Sequence, residues 1–199
     1  MTVLAGWWRG EPEEVNRVVE SKQDGPLQAE FPIERLITHT GHRFQRGFAT
    51  QAIGLFEASE AFAFLAVDDG LLIRGENEEA LATPVDILRQ AHGPALHLQP
   101  PRVRHLLLEG QWCEPVMQLR VQVLVEYLGP VRQHLLAAGA RVLDVDVHLD
   151  AGVIRAEAPL ARLLGLGEDF KRLTEGRGTH WIWLDRYAPL DTPPEPGAA

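Results

Sequence analysis

Residues 153–183 read V-I-R-A-E-A-P-L-A-R-L-L-G-L-G-E-D-F-K-R-L-T-E-G-R-G-T-H-W-I-W. The order expected from them is strand, helix, glycine-rich loop, strand. Residues 153–158 have short strand character. Pro159 suits the first turn of a helix, where its missing N–H has no intrahelical partner anyway. Leu160, Leu163, Leu164, Phe170 and Leu173 recur at helical spacing, with Gly165-Leu166-Gly167 as a break. Gly176 and Gly178 bracket Arg177 and end the helix, and residues 180–187 form an aromatic-rich strand.

Toward the N-terminus the pattern completes itself. Leu143, Val145, Val147 and Leu149 alternate with Asp144, Asp146 and His148, and Asp150-Ala151-Gly152 makes a turn. A helix is expected over 130–138, opened by Gly129-Pro130 and closed by Gly139. Met117, Leu119, Val121 and Val123 alternate with Gln118, Arg120 and Gln122, as in a strand with one wet face. Residues 113–190 thus spell β-α-β-β-α-β.

The same order precedes it. A strand is expected over 27–34, a turn over 38–42 and a helix over 43–59. A strand over 61–67 follows, with a hairpin turn at Asp68-Asp69-Gly70 suited to positive φ and a strand over 71–74. A helix over 78–91 comes next, with Asn77 as its N-cap. Pro84 either kinks that helix or starts it with Thr83 as cap. Gly93-Pro94 ends it before a strand over 95–99. The fold class is α+β: two tandem ferredoxin-like (βαββαβ) sandwiches with antiparallel sheets. The divisions are 1–25 (an N-terminal segment with a helix after Pro12), 26–105, a linker at 106–112, 113–190, and a Pro-rich disordered tail at 191–199.

Composition narrows the function classes. The chain has 199 residues, 45% hydrophobic and 24% charged, with a formal net charge of −9. That charge argues against coating DNA. Cys113 is the single cysteine, so no disulfide forms within the chain, which suits a reducing compartment. With no signal-peptide pattern and no apolar run of spanning length, the expectation is a cytoplasmic protein with no membrane partner. Of 19 basic residues only Lys22 and Lys171 are lysines, and arginine's fork favours bidentate contacts with carboxylate or phosphate.

Several short motifs, in order, carry a resemblance. Glu114-Pro115-Val116-Met117, Tyr127-Leu128-Gly129 with Val131, Ile154-Arg155-Ala156 with Pro159-Leu160-Ala161, Leu173–Gly178 and Tyr187 resemble the last domain of elongation factor G, the ribosomal translocase and a GTPase of translation. This covers residues 112–190. Residues 26–105 resemble that family's third domain more weakly, through 73–78 at a helix entrance and Gln99-Pro100-Pro101-Arg102-Val103 at an exit strand. The family's Ser-Gly-Met-Gly-Glu run is eroded here to residues 74–78. Its Gly-Tyr-Ala-Thr-Asp-Leu-Arg has become residues 165–171, with Leu166 for the tyrosine and Phe170 for the leucine. The resemblance implies third domain joined to fifth, without the GTPase domain.

The residues themselves offer little catalysis. No G-x-x-x-x-G-K-[ST] surrounds either lysine, so a phosphate-cradling loop is lacking. His39 with His42, and His92 with His97, lack the helical i, i+4 spacing of a zinc hydrolase. Cys113 has no adjacent base. His148 and His180 face Asp144, Asp146 and Glu157 only if the fold brings them together. The expectation is a non-enzyme with no cofactor, no metal and no catalytic residues.

Binding is better represented. Lys171 and Arg172 sit in a last helical turn, where the helix dipole favours cations. Arg177 stands on a tight loop. The resemblance implies docking of this domain on large-subunit ribosomal RNA, with Lys171, Arg172 and Arg177 as phosphate contacts. Trp181 and Trp183 share one face of the final strand with Arg120 of the strand expected beside it. Two adjacent exposed tryptophans mark an interaction surface, covered by the other domain, by Trp7 and Trp8, or by a second copy. The loop therefore argues for the ribosome or ribosomal RNA as partner. The strand argues for a protein partner or homodimer, with the scaffold reused without RNA.

Overall fold

The computed structural model describes residues 31–57 and 59–190. The expected helix after Pro12, Trp7 and Trp8, the strand residues 27–30 and the tail at 191–199 lie outside the described residues.

The first unit runs β1 (Ile33–His39), α1 (Gln45–Ile53), β2 (Phe62–Val67), β3 (Gly70–Gly75), α2 (Glu78–His92), β4 (Leu96–Leu98) and β5 (Arg102–Val103). The second runs β6 (Leu106–Leu108), β7 (Gln111–Leu124), α3 (Val125–Ala137), β8 (Arg141–His148), β9 (Ala151–Pro159), α4 (Leu166–Leu173) and β10 (Thr179–Pro189). The sheets have orders β2-β3-β1-β4 and β10-β7-β9-β8, with β5 joining β1 and β6 joining β7. All pairings are antiparallel. Leaving out β5 and β6, the two orders are the same: the first and third strands are central, the second and fourth lie outside. This is the split βαβ arrangement in both halves.

Alternation sets which side of each sheet is buried. Met117, Leu119, Val121 and Val123 of β7 are buried, while Arg120 and Gln122 are exposed. Ile154, Ala156 and Ala158 of β9 join them, with Val131 and Leu135 of α3 and Leu166 and Phe170 of α4 packed against this side. In the first unit Ile33, Ile37, Leu71 and Ile73 meet Phe48 and Ala52 of α1 and Leu81, Val85 and Leu88 of α2.

Several local expectations need correction. The stretch at 106–112 is not a linker. β6 and the start of β7 form a hairpin in the second sheet, with Leu106 opposite Cys113. Glu109 and Gly110 take φ of 50° and 82°, the two positive values a tight hairpin turn requires. The first helix stops at Ile53 rather than running to 59, and Phe56 beyond it stacks on Phe64 of β2 with ring centroids 4.3 Å apart. α2 starts at Asn77, whose Oδ1 accepts from the Ala80 N–H at 2.9 Å, and continues through Pro84. It does not begin at Thr83. Pro130 also lies inside its helix, which starts at Val125.

Pro159 is not helical. It pairs with Val116 at the end of β9, and a single 3-10 turn, Leu160–Arg162, follows. Gly165 at φ 82° then redirects the chain into α4. The apolar spacing of Leu160, Leu163 and Phe170 is real, and all three are buried, but a turn and a short helix supply it.

Three histidines gather where α1 and the end of α2 meet β1. His39 lies 4.6 Å from His42 and 5.3 Å from His92 between ring centroids, and all three rings pack on Phe48. Among the described residues no group of three or more His, Cys, Asp or Glu is placed to hold a metal ion. His39 Nδ1 accepts from the Gly41 N–H at 3.0 Å, a bond available to the neutral ring. Burial, then His42 and His92, hold the His39 pKa below its ordinary value. The folded state therefore binds fewer protons than the unfolded chain in the acid range. Stability from this ring is complete above pH ~6.5 and falls as pH drops through that value toward the lowered folded pKa. The urea midpoint is expected to fall between pH 7.5 and 5.5, and to fall less in His39→Gln. Equal falls in both proteins would remove His39 from the explanation.

Candidate functional site

The loop after α4 is built from its own backbone outward. Thr174 is fully buried, and its Oγ1 donates to the Phe170 carbonyl at 2.8 Å. The Gly176 N–H reaches the Lys171 carbonyl at 2.9 Å, and the Arg177 N–H reaches the Thr174 carbonyl at 2.8 Å. These bonds satisfy helix-end carbonyls and fix the turn. Gly178 then packs directly on the core. A Cβ there would stand 2.6 Å from Phe170 Cζ and 3.0 Å from Val123 Cγ1. A fixed turn followed by a half-buried glycine packed on Phe170 leaves the Arg177 side chain outside, 61% exposed.

Each of the three cations has acidic neighbours. Arg177 lies 3.6 Å from Glu175 and 4.0 Å from Glu126 at the start of α3. Lys171 meets Glu168 at 3.3 Å, and Arg172 pairs with Asp169. Exposed pairs of this kind are worth ~0–1 kcal/mol, so an incoming phosphate has little to displace. The four carboxylates nevertheless offset the charge of three cations.

The open side of the second sheet forms a separate surface. Trp181 is opposite Arg120 and Trp183 opposite Gln118. The tryptophans are 45% and 47% exposed, whereas Ile182 and Leu184 turn to the core. The first unit therefore leaves both tryptophans half uncovered. The Arg120 guanidinium carbon lies 5.5 Å from the Trp181 ring centre, a cation–π arrangement. Lys171, Arg172 and Arg177 belong to the α4 end, and Trp181, Trp183 and Arg120 to the sheet face. The structure thus keeps the two sets of expected binding residues as separate surfaces.

Two features escaped sequence reasoning. Glu157 is nearly buried within the open face. Its carboxylate takes bonds from Arg141 at 3.0 and 2.6 Å and from Arg186 at 3.3 and 3.4 Å. Those bonds, Arg141's first, hold its pKa below the usual carboxylate range. The other feature joins the two units. Asn77 Nδ2 donates to the Ile182 carbonyl at 3.4 Å, and Glu78 accepts from the Gly165 N–H at 2.7 Å. Glu79 lies 3.4 Å from His180. His180 therefore does not face Asp144, Asp146 and Glu157. It turns toward the helices, 4.9 Å from the Phe170 ring. The N-terminal turn of α2 docks onto β10 and α4, so residues 77 and 78, matched above to the eroded motif, lie with Glu79 at the junction between units. Cys113 is buried in β7 with its Sγ 3.6 Å from the Gln111 carbonyl.

Two antiparallel sheets with interleaved helices make this a tandem ferredoxin-like α+β protein. Residues 111–196 match the family described as Elongation factor G C-terminus. The solved structure of ttk003000868 from Thermus thermophilus resembles the chain in fold, with a TM-score of 0.57 and 16% identity. The likeness covers 92% of this chain and 44% of that one, so the chain spans less than half of that protein's length. Among the described residues no helix is long and apolar enough to cross a membrane.

Proposed function

We propose that this protein is a translation-factor-like module that docks on the ribosome, or on a related RNA–protein assembly, in the cytoplasm, and acts by binding rather than by catalysis. Its first unit then corresponds to the third domain of elongation factor G. The reading rests on one observation: the segment matching the elongation factor G C-terminus presents Arg177 outward on a hydrogen-bonded turn. Lys171 and Arg172, in the last turn of α4, supply further phosphate contacts. A contact through so few cations weakens steeply with salt. Other contacts must add shape recognition.

The expected result is co-sedimentation with ribosomes at low salt that declines as salt rises. Arg177→Glu should weaken it about tenfold and flatten the salt dependence by nearly one unit of log–log slope. Trp181→Ala/Trp183→Ala should leave it largely unchanged. Failure of the chain to pellet with ribosomes at any salt would defeat the reading. A second reading is favoured by the half-exposed tryptophan pair and the acidic neighbours of every cation in the cluster. Here the scaffold is a protein–protein module, and Trp181, Trp183 and Arg120 form its contact. Loss of partner binding in the tryptophan variant, with Arg177→Glu unaffected, would select it.

A further inference from the structure

The strand β8 is the least protected element among the described residues. Among the described residues it pairs with β9 alone, and its outer edge presents backbone N–H and C=O groups that no described strand pairs. Every residue from Leu143 to His148 is exposed. Val145 lies opposite the buried Ile154 and therefore shares its side of the sheet, yet it is 37% exposed. Leu143 and Val147 are more exposed still, and Leu149 is fully so. Leu136 of α3, on the same side, is also uncovered. α3 approaches β8 but leaves these apolar side chains uncovered. On the other side Asp144, Asp146 and His148 alternate with the apolar row. Asp144 has Arg155 at 3.8 Å, whereas Asp146 and Asp150 have no ion pair among the described residues.

We propose that β8 receives an extended segment of a partner protein by strand addition, and that this segment alternates apolar residues with Lys or Arg. Main-chain hydrogen bonds supply the pairing, and alternate side chains supply the choice of partner. The apolar residues extend the row of Val145 and Val147, which follow the register shift between Val142 and Asp144. The cations fall opposite Asp144 and Asp146, since opposite charges directly across an antiparallel pair stabilise it and like charges oppose it. That charge rule also disfavours a second copy of this chain. In a two-fold antiparallel pairing of β8 with itself, the longest register centred on Asp144 sets two Asp144 side chains against each other. The one centred on Val145 sets Asp144 against Asp146 twice. Acidic residues on an edge thus disfavour self-association while remaining open to a basic strand.

The probe is a synthetic peptide alternating Lys and Val, titrated against the full chain. Saturable binding is expected, with slowed amide hydrogen exchange confined to residues 141–148. A peptide of the same composition with its lysines in one block should bind at least tenfold more weakly. Asp144→Lys/Asp146→Lys, exposed substitutions that spare the core, should weaken the alternating peptide at least tenfold and create binding to a Glu/Val peptide. Any one of four results overturns the proposal: no binding, equal binding of block and alternating peptides, binding indifferent to the double substitution, or protection elsewhere. Strong protection of residues 141–148 in the free chain also overturns it, because the edge would already be occupied.

Discussion

Gly70→Ala is expected to destabilise the protein by about 3–5 kcal/mol, the combined scale of a strained backbone and an overpacked contact. Gly70 ends the β2–β3 turn opposite Val67, with φ at 148°, a value side chains rarely adopt. A Cβ there would lie 2.3 Å from the Ile37 carbonyl oxygen and 3.3 Å from Thr38 Cγ2. The obstacle is backbone of the central strand. Ile37 pairs with Leu71 on one flank and Leu98 on the other, and its side chain is fully buried. Neither neighbour yields without breaking a ladder. Gly110→Ala is the control. It also has positive φ, but open space surrounds the new Cβ, so it should cost only ~1–2 kcal/mol. The check is the urea midpoint by circular dichroism for both variants. A Gly70→Ala protein as stable as Gly110→Ala would mean that the close approach to Ile37 is wrong.

The hairpin just described was legible because Asp68-Asp69-Gly70 between two apolar runs has one economical solution. The alternation of Met117 to Val123 and of Leu143 to Leu149 likewise fixed two strands and their buried sides. Prolines misled in both directions. The pattern reads Pro84 as a kink or a start and Pro130 as a start, yet the helices begin at Glu78 and Val125, so neither proline starts its helix. Tertiary burial outweighs one missing hydrogen bond at Pro84, which is itself buried. Pro159 was read as a helix start, yet Val116 across the sheet holds it as strand. Leu106–Leu108 has no alternation and follows two prolines, so only its pairing with residues 111–113 makes it a strand. The exposed tryptophans followed from alternation alone. The acidic neighbours of Arg177 did not: Glu126 is brought to it by the packing of α3 beside α4. Contacts such as Glu78 with Gly165 join residues 87 apart, and no local pattern encodes them.

The same limit hid the group whose removal carries the other large effect. Glu34 of β1 lies on the outer side of the first sheet but is only 5% exposed. Three guanidiniums cover it: Arg102 at 3.0 Å, Arg74 at 3.3 Å and Arg104 at 3.7 Å. Arg74 and Arg102 are its register partners in β3 and β5, so the carboxylate ties three strands. Arg104 also donates to the Phe31 carbonyl at 2.7 Å, and burial lowers its pKa despite the opposing effect of Glu34. Glu34→Ala should cost about 3–5 kcal/mol, because it takes the carboxylate from a buried cation rather than removing a pair. Arg102 contributes least, being the most exposed of the three and screened by water. Glu34→Gln keeps an acceptor and should lose less. Tyr187 supplies the contrast. It comes from β10, and burial raises its pKa while Arg104 acts to lower it. Its buried hydroxyl has no hydrogen-bond partner among the described residues. Tyr187→Phe should therefore be neutral or slightly stabilising, since it removes a desolvated group that gains nothing on folding. Urea unfolding of the three variants decides between a carboxylate that organises this region and one that merely occupies it. If Glu34→Ala loses under about 1 kcal/mol, the pairs act as exposed ones do. If Tyr187→Phe loses as much as Glu34→Ala, the hydroxyl and the carboxylate belong to one network spanning both units.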